Sequence, residues 1–456
     1  MKAVLILFVI ALVIAERPPL PQPTEGQIEW LESGIIGFLH YGVNTYTDRE
    51  WGLGNEDPKV FAPTNLNASD WIDAYKPLHT QEIILVAKHH DGFFMYPNPY
   101  TNHSVASSDW KNGKGDVLRE FVNACRKEHM KPAFYLSPWD RNQYNMTWDP
   151  KYNAFYAKTL EYLLQNYSPV YEMWWDGANA QEGMTDLYII NIYNIYIIYK
   201  YNEKCMGTIT GPDADWGGTE SGLGKEEYWL NKKPKTLFPR PGEEYVFMPS
   251  ILDVSIRGGW FWHLQEEPRY LKDLVNIYWK SIAYGYTLQL NVPPTKEGLI
   301  DERDKTRLRE FGQYIDALNG VDYALLSTHF DASSAAAEHP ASSLVNGDKM
   351  YYWKPAVETF ESAEYASIYF DEPATFDVVL AEEYIRHGQT VAKFHFDALI
   401  DGQWKTVASG TTIGLKKMVK ISSPVTATGV RLTIDSTWNN YVPEISRIGL
   451  LVEPSY

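Results

Sequence analysis

The sequence predicts an α/β protein: a (β/α)8 TIM-like barrel followed by a C-terminal all-β sandwich. Three observations carry this. The chain has 456 residues, enough at roughly 100–200 residues per domain for a large barrel plus a smaller module. From about residue 28 to 318, short β-rich apolar runs alternate with polar or Gly/Pro-marked loops and longer helix-like stretches. From about Tyr323 the texture changes to short alternating segments such as EYASIYFD and GVRLTID, separated by turn residues, which is the pattern of an antiparallel sandwich.

In chain order, strands are expected at 35–40, 83–88, 133–136, 172–175, 207–210, 245–248 and 287–291, with 253–256 as an eighth. Seven or eight such units fit a closed barrel better than a doubly wound sheet, whose glycine fingerprint this chain lacks. Between them, WDPKYNAFYAKTLEYLLQNY and PRYLKDLVNIYWKSIAYG read as amphipathic helices whose Tyr and Leu stripes face the core. DLYIINIYNIYIIYKYN, residues 186–202, reads as a helix packed between the barrel and a neighbour. The sequence loosens at 318–345, dividing the chain into a leader at 1–15, the barrel at 16–320 and the sandwich at 321–456.

Hydrophobic residues at 45% and charged residues at 22% exclude global disorder. A net charge of 41 − 58 = −17, with no Lys/Arg stripe, argues against nucleic acid as a partner. MKAVLILFVIALVIA has one early charge at Lys2, an apolar run and a small residue at Ala15, the pattern of a secretory signal peptide. That run is short of the ~20 residues a membrane span needs, so the mature chain is expected to be secreted or in a lysosome-like lumen, without a span. Sequons at Asn67, Asn102, Asn145 and Asn166 are compatible with a glycoprotein. Two cysteines, Cys125 and Cys205, exclude a disulfide-built scaffold; they either pair or remain buried thiols. There is no HExxH, P-loop or zinc-finger spacing, and neither a cofactor nor a metal is expected.

In a barrel of this type, catalytic groups sit at the carboxyl ends of the strands. After the first apolar run stand His40-Tyr41-Gly42 and then Glu50-Trp51; after the second, Lys88-His89-His90-Asp91-Gly92; after the third, Tyr135 to Asp140. After the fourth stands Trp174-Trp175-Asp176-Gly177, and after the fifth GPDADW, containing Trp216, followed by Glu220. Polar groups and tryptophans recurring at one end of five strands are what a polyol pocket requires, since a sugar presents hydroxyls on its rim and C–H patches on its faces. Breaking a glycosidic bond usually takes two carboxyl groups, one ionised and one protonated. Asp176 is the candidate nucleophile, set against the alternative of a helix N-cap before GANAQEG. Glu220, in the Gly-rich GGTESGLG, is placed where a carboxyl can be held over a cleft, although exposed loop glutamates are common. Adjacent side chains on an extended segment point in opposite directions, so His89 and His90 are expected to bind substrate hydroxyls rather than share a metal ion, set against the alternative of a structural role in the core.

These residues resemble the α-L-fucosidases of glycoside hydrolase family 29. The resemblance spans residues 28 to about 316 and rests on GFLHYG, REWG, AKHHDGF, FYLSPWDRN, WWDGAN, GPDADWGGTESG, DVSIRGGWFWH and LQLNVPP, in the family's order. It implies a retaining enzyme in which Asp176 forms the covalent glycosyl intermediate. It further implies that His40, His89, His90, Glu50 and Trp51 bind fucose, that Trp174 and Trp260 face the sugar, and that Arg257, Tyr135 and Trp216 belong to the substrate site. GPDADWGGTESG resembles the GPD-x-RW-x-GNE-x-G stretch of the branch acting on α-1,3 and α-1,4 fucosyl linkages, which makes Glu220 the acid/base, 220 − 176 = 44 residues after Asp176. Two departures stand out: Asp215 in place of arginine and Thr219 in place of asparagine. An anion near Glu220 would raise its pKa if the two came within a few ångströms.

The C-terminal segment, with SSLVNGDKMYYW and GQWKTVASGTTIG, resembles the discoidin or coagulation-factor type C module, a jelly roll that in some members binds galactose-like sugars and otherwise buttresses its neighbour. The expected function is therefore hydrolysis of terminal α-L-fucose from an oligosaccharide or glycoprotein glycan, with carboxyl groups about 5–5.5 Å apart. The alternatives are a fucose-binding protein on a decayed enzyme, or another retaining glycosidase on the same barrel.

Overall fold

The computed structural model describes residues 17–143, 150–176, 214–233 and 245–456. The leader at 1–15, the expected strand at 207–210, the Ile/Tyr-rich segment 186–202, Asn145 and Cys205 lie outside the described residues. Among the described residues, seven parallel strands form one sheet: β1 (Ile35–Leu39), β2 (Glu82–Lys88), β3 (Lys131–Leu136), β4 (Met173–Trp174), β5 (Asp215–Trp216), β8 (Ser250–Ser255) and β9 (Thr287–Asn291). Their order is β4-β3-β2-β1-β9-β8-β5, a TIM-like arrangement. Between β5 and β8, β6 (Asn231–Lys232) and β7 (Val246–Phe247) pair as a separate antiparallel ribbon.

Two strand expectations are corrected. Residues 245–248 are not a barrel strand; they form the β7 ribbon, and Val246 there is only half-buried. Asp215 and Trp216 are not a loop after a strand but the edge strand itself, pairing in parallel with Ser250 and Ile251. The eighth expected strand, 253–256, falls largely in β8, whose inward residues are polar and so dilute the apolar run that marks its neighbours.

Period-two alternation explains both the sheet's composition and its two packed layers. On β1 to β3, Ile36, Phe38, Ile84, Val86, Ala133 and Tyr135 fill the barrel interior with Trp30, Trp174 and Trp260 against them. The opposite parity, Ile35, Leu39, Ile83, Leu85, Phe134 and Leu136, faces the helices. Each such fully buried side chain contributes on the order of 1.5–3 kcal/mol. The helices close over this outer layer: Val117–Lys127 buries Leu118, Phe121 and Val122, and Pro150–Tyr167 buries Tyr156, Leu160 and Leu163. On β8 and β9 the same parity puts Leu252, Val254, Leu288 and Leu290 outside, leaving Asp253, Ser255, Gln289 and Asn291 for the interior.

The C-terminal domain is antiparallel: β10 (His329–Ala332), β11 (Glu364–Glu383), β12 (Val391–Ile400), β13 (Gln403–Gly410), β14 (Lys417–Thr437) and β15 (Ile445–Leu451). Register shifts in the β11–β14 ladder divide these long strands, so the first half of β11 pairs with β10 and the second with β15, around one apolar core. This domain grips the barrel just beyond Glu220. The buried Gln389 side chain accepts from Leu230 N at 2.7 Å and donates to Tyr228 O at 2.9 Å, while Tyr228 stacks on Tyr286 at 3.7 Å.

At the floor of the barrel, the buried Glu82 is hydrogen-bonded to Glu172, which accepts from Trp30 Nε1 and Gln289 Nε2, each at 2.8 Å. Burial pushes both carboxyls up, and the Glu172 charge adds to it for Glu82, which carries the proton. A raised carboxyl pKa means that the folded state holds a proton the unfolded chain has released, so this contribution is full in acid and is lost as pH rises through the folded value. Glu82→Gln is therefore expected to stabilise the protein at mildly alkaline pH and to have little effect in acid; urea unfolding at both pH values checks this, and equal shifts at both would count against the pair.

Candidate active site

At the carboxyl end of β1, His40 is buried, and its Nδ1–H donates to Asn291 Oδ1 at 2.9 Å. That bond leaves Nε2 as the acceptor nitrogen. β2 ends at Lys88, and Gly92 adopts a φ of +81°, in a turn where a Cβ would lie 2.3 Å from Asp140 Oδ1. The chain therefore leaves the extended conformation at His89 and His90, and their rings lie 4.1 Å apart rather than on opposite sides as the alternation rule predicted. His89 stacks near Tyr135 at 5.6 Å with Nδ1 buried and without a hydrogen-bond partner among the described residues; His90 Nδ1 meets Ser137 Oγ at 2.7 Å. Burial lowers the pKa of His40 to about 3, against the Asn291 bond, and that of His90 to about 3 with help from the Lys88 and Arg141 charges. Burial also lowers His89, with His90 and His40 adding to it. With Nδ1 engaged on each, the neutral rings of His40 and His90 keep Nε2 for a ligand hydroxyl.

Asp176 follows β4, beside the half-buried Trp174. It accepts from Tyr135 Oη at 3.0 Å and lies 4.0 Å from His90 Nε2. Burial, followed by the Asp176 charge, raises the Tyr135 pKa well above its ordinary value, so the phenol stays a donor. Trp174 and Trp260 sit at 6.0 and 6.1 Å from Phe38, and Trp260 lies 4.9 Å from His40, so indoles wall the space between the histidines.

Glu220 lies on the exposed turn after β5, where Trp260 Nε1 donates to Oε2 at 3.2 Å. Trp216, 51% exposed, donates Nε1–H to the buried Asp253 Oδ1 at 2.9 Å. Burial first raises Asp253 to about 7 against the Trp216 bond, with the Glu220 and Asp176 charges adding to the rise. On the opposite parity of β5, Asp215 pairs with Lys232 Nζ and Ser250 Oγ, each at 2.7 Å. The anion standing in place of arginine is thus matched by a lysine.

Three resemblance-based residues have other duties or a looser place. Arg257 does not line the pocket: it is fully buried, with Nε 2.9 Å from Asp304 and Nη2 3.0 Å from Asp301, because a cation without solvent needs carboxylate partners. Glu50 holds the loop that carries Trp260, accepting from Trp260 N at 2.8 Å and Phe261 N at 3.3 Å, and His263 Nε2 is 2.6 Å away. Trp51 is 56% exposed at the rim, edge-on to Trp139 at 5.7 Å and His90 at 6.3 Å. Sequence reasoning missed Asn291, Ser137, Asp253 and His263. All four lie inside quoted motifs, and strand parity would have turned Asn291 and Asp253 inward.

Over residues 27–320 the chain matches the family model for Alpha-L-fucosidase, and over 329–449 that for the F5/8 type C domain. It is similar to Alpha-L-fucosidase 1 of Arabidopsis thaliana, 35% identical over 454 residues that cover 96% of this chain and 88% of that protein. Among solved structures it resembles a glycoside hydrolase family 29 member from a rumen bacterium, with TM-score 0.80 and 32% identity over 96% of this chain and 78% of that one. It also resembles a Ruminococcus gnavus fucosidase in complex with fucose, with TM-score 0.84 and 26% identity over 97% of each chain.

With pKa values of about 3, His40 and His90 should keep neutral rings from about pH 7 down to about pH 5 in nitrogen-15 NMR spectra. Protonation of either near its ordinary pKa would show that the pocket is wetter than its packing implies.

Proposed function

The chain belongs to the α-L-fucosidase family of glycoside hydrolases, and from that premise we propose that it releases terminal α-L-fucose from α-1,3 or α-1,4 branches with net retention. Asp176 is the nucleophile and Glu220 the acid/base. The observation that carries this reading is convergence: Asp176, after β4, accepts from Tyr135 and Glu220, after β5, accepts from Trp260, and those two aromatic donors both lie against His40, at 5.8 and 4.9 Å.

In the first step Asp176 attacks the anomeric carbon while Glu220 gives its proton to the leaving oxygen; in the second, Glu220 takes a proton from water, which displaces Asp176. The Tyr135 hydroxyl holds the Asp176 carboxyl in orientation. Exposure of Glu220 gives the attacking water of the second step access to it. His40, His89 and His90 bind the hydroxyls as neutral rings, and Trp174 and Trp260 cover the apolar faces, including the C5 methyl that distinguishes fucose from galactose. The linkage preference is supported by the GPDADWGGTESG stretch and by Trp216, whose exposed face beside Glu220 offers a stacking surface to the leaving sugar. Export to an extracellular or lysosome-like lumen is supported by the apolar leader and by the exposed sequon residues Asn67 and Asn102.

The test is hydrolysis of 4-nitrophenyl α-L-fucoside and of a Lewis-type oligosaccharide, with products followed by proton NMR. Asp176→Asn is expected to lose several orders of magnitude in kcat. Glu220→Ala should lose about 10²–10⁴-fold on the oligosaccharide and, with azide, form fucosyl azide of retained configuration. Near-full activity of Asp176→Asn would end this reading, and fucose binding without turnover by the unmodified protein would leave a binding protein.

A further inference from the structure

The loop at residues 258–263 reaches the pocket through Trp260, and a histidine outside the chemistry above holds it in place. His263 Nδ1 lies 2.6 Å from Asp48 Oδ1, and Nε2 lies 2.6 Å from Glu50 Oε1. A neutral imidazole carries one N–H, so it satisfies one of these carboxylates and turns a lone pair toward the other; the imidazolium satisfies both. Glu50 passes the constraint on by accepting the Trp260 and Phe261 backbone N–H groups, and Asn291 Nδ2 fastens Trp260 O at 2.8 Å. Trp260 in turn touches both halves of the site, His40 at 4.9 Å and Glu220 Oε2 at 3.2 Å.

We propose that His263 is a positioning residue: strung as an imidazolium between Asp48 and Glu50, it clamps the Trp260 loop against Glu220 and the sugar pocket, so that the site is assembled at acid pH and loosens when the ring loses its proton. The proposal rests on the reading of Glu220 and the histidine pocket given above. The charged groups facing the ring are Asp48 and Glu50, from the segment after β1, and Glu266, from its own loop; Lys296 faces Asp48. Burial opposes protonation of His263, but the bonds to Asp48 and Glu50 outweigh it and hold the ring above its ordinary 6.5. The clamp is therefore complete below that raised value and is lost as pH rises through it.

Fucose affinity measured calorimetrically from about pH 5 to about pH 9 tests this in a Glu220→Gln protein, where the acid/base no longer titrates. Affinity is expected to fall about tenfold as His263 deprotonates. Adding His263→Gln, whose amide donates to Glu50 but does not titrate, removes that fall. Asp48→Asn keeps an acceptor and the left-handed backbone (φ 57°) that asparagine tolerates, and moves the fall to lower pH. With Glu220 intact, His263→Ala lowers oligosaccharide kcat by about 100-fold and His263→Gln restores most of it. A His263→Gln protein with the unsubstituted pH profile, or a His263→Ala protein with unchanged kcat, would overturn the clamp. If the unsubstituted protein neither binds fucose nor hydrolyses any fucoside, the reading of the site fails and takes the clamp with it.

Discussion

A parallel strand buried on both sides must give one parity of its side chains to the helices and the other to the barrel axis. The strand-borne part of the site follows from that constraint. On β1 and β3, the inward parity runs from Ile36 and Phe38 to His40 and from Ala133 to Tyr135. On β8 and β9 it passes through Asp253, Gln289 and Asn291, because their apolar neighbours Val254, Leu288 and Leu290 are committed to the outer layer. The strand-borne groups thus arrive at one rim, where the turns carrying His89, His90 and Glu220 and the loop carrying Trp260 meet them.

Such packing sets the electrostatics. Burial keeps His40, His89 and His90 uncharged, and it raises Asp253 until it is neutral in acid. A buried cation is tolerated only where carboxylates surround it, as Arg257 is by Asp301 and Asp304. The departure at Asp215 obeys the same rule, with Lys232 on its carboxylate. Packing also gives the C-terminal domain a mechanical role: it holds residues 228–231, a few residues beyond Glu220, through Gln389.

Where motif and parity agreed, the site was legible. His40, Tyr135, Trp174 and Asp176 follow apolar runs and stand where the runs said they would. Misreadings came where an expected local conformation was not the one adopted. The His89-His90 pair leaves the strand through Gly92, so its rings meet instead of diverging. β8 was harder to read than β1 because its inward positions are polar, and 245–248 looked like a barrel strand because composition does not say which edge a segment pairs with.

The sequence by itself determined the class of the fold, the change of texture near residue 320 and the residue types at the strand ends, because side-chain periodicity and turn chemistry are local and are written in adjacent residues. Only the tertiary structure decided which of those residues share a space. Arg257 lies under the loop rather than in the pocket because Asp301 and Asp304, 44 and 47 residues on, fold back against it (301 − 257 and 304 − 257). Glu50 grips the Trp260 backbone 210 residues away, and His263 closes on Glu50 from 213 residues away. Contacts of that separation leave no periodic trace in a single chain; they exist only once the strands have brought their ends together.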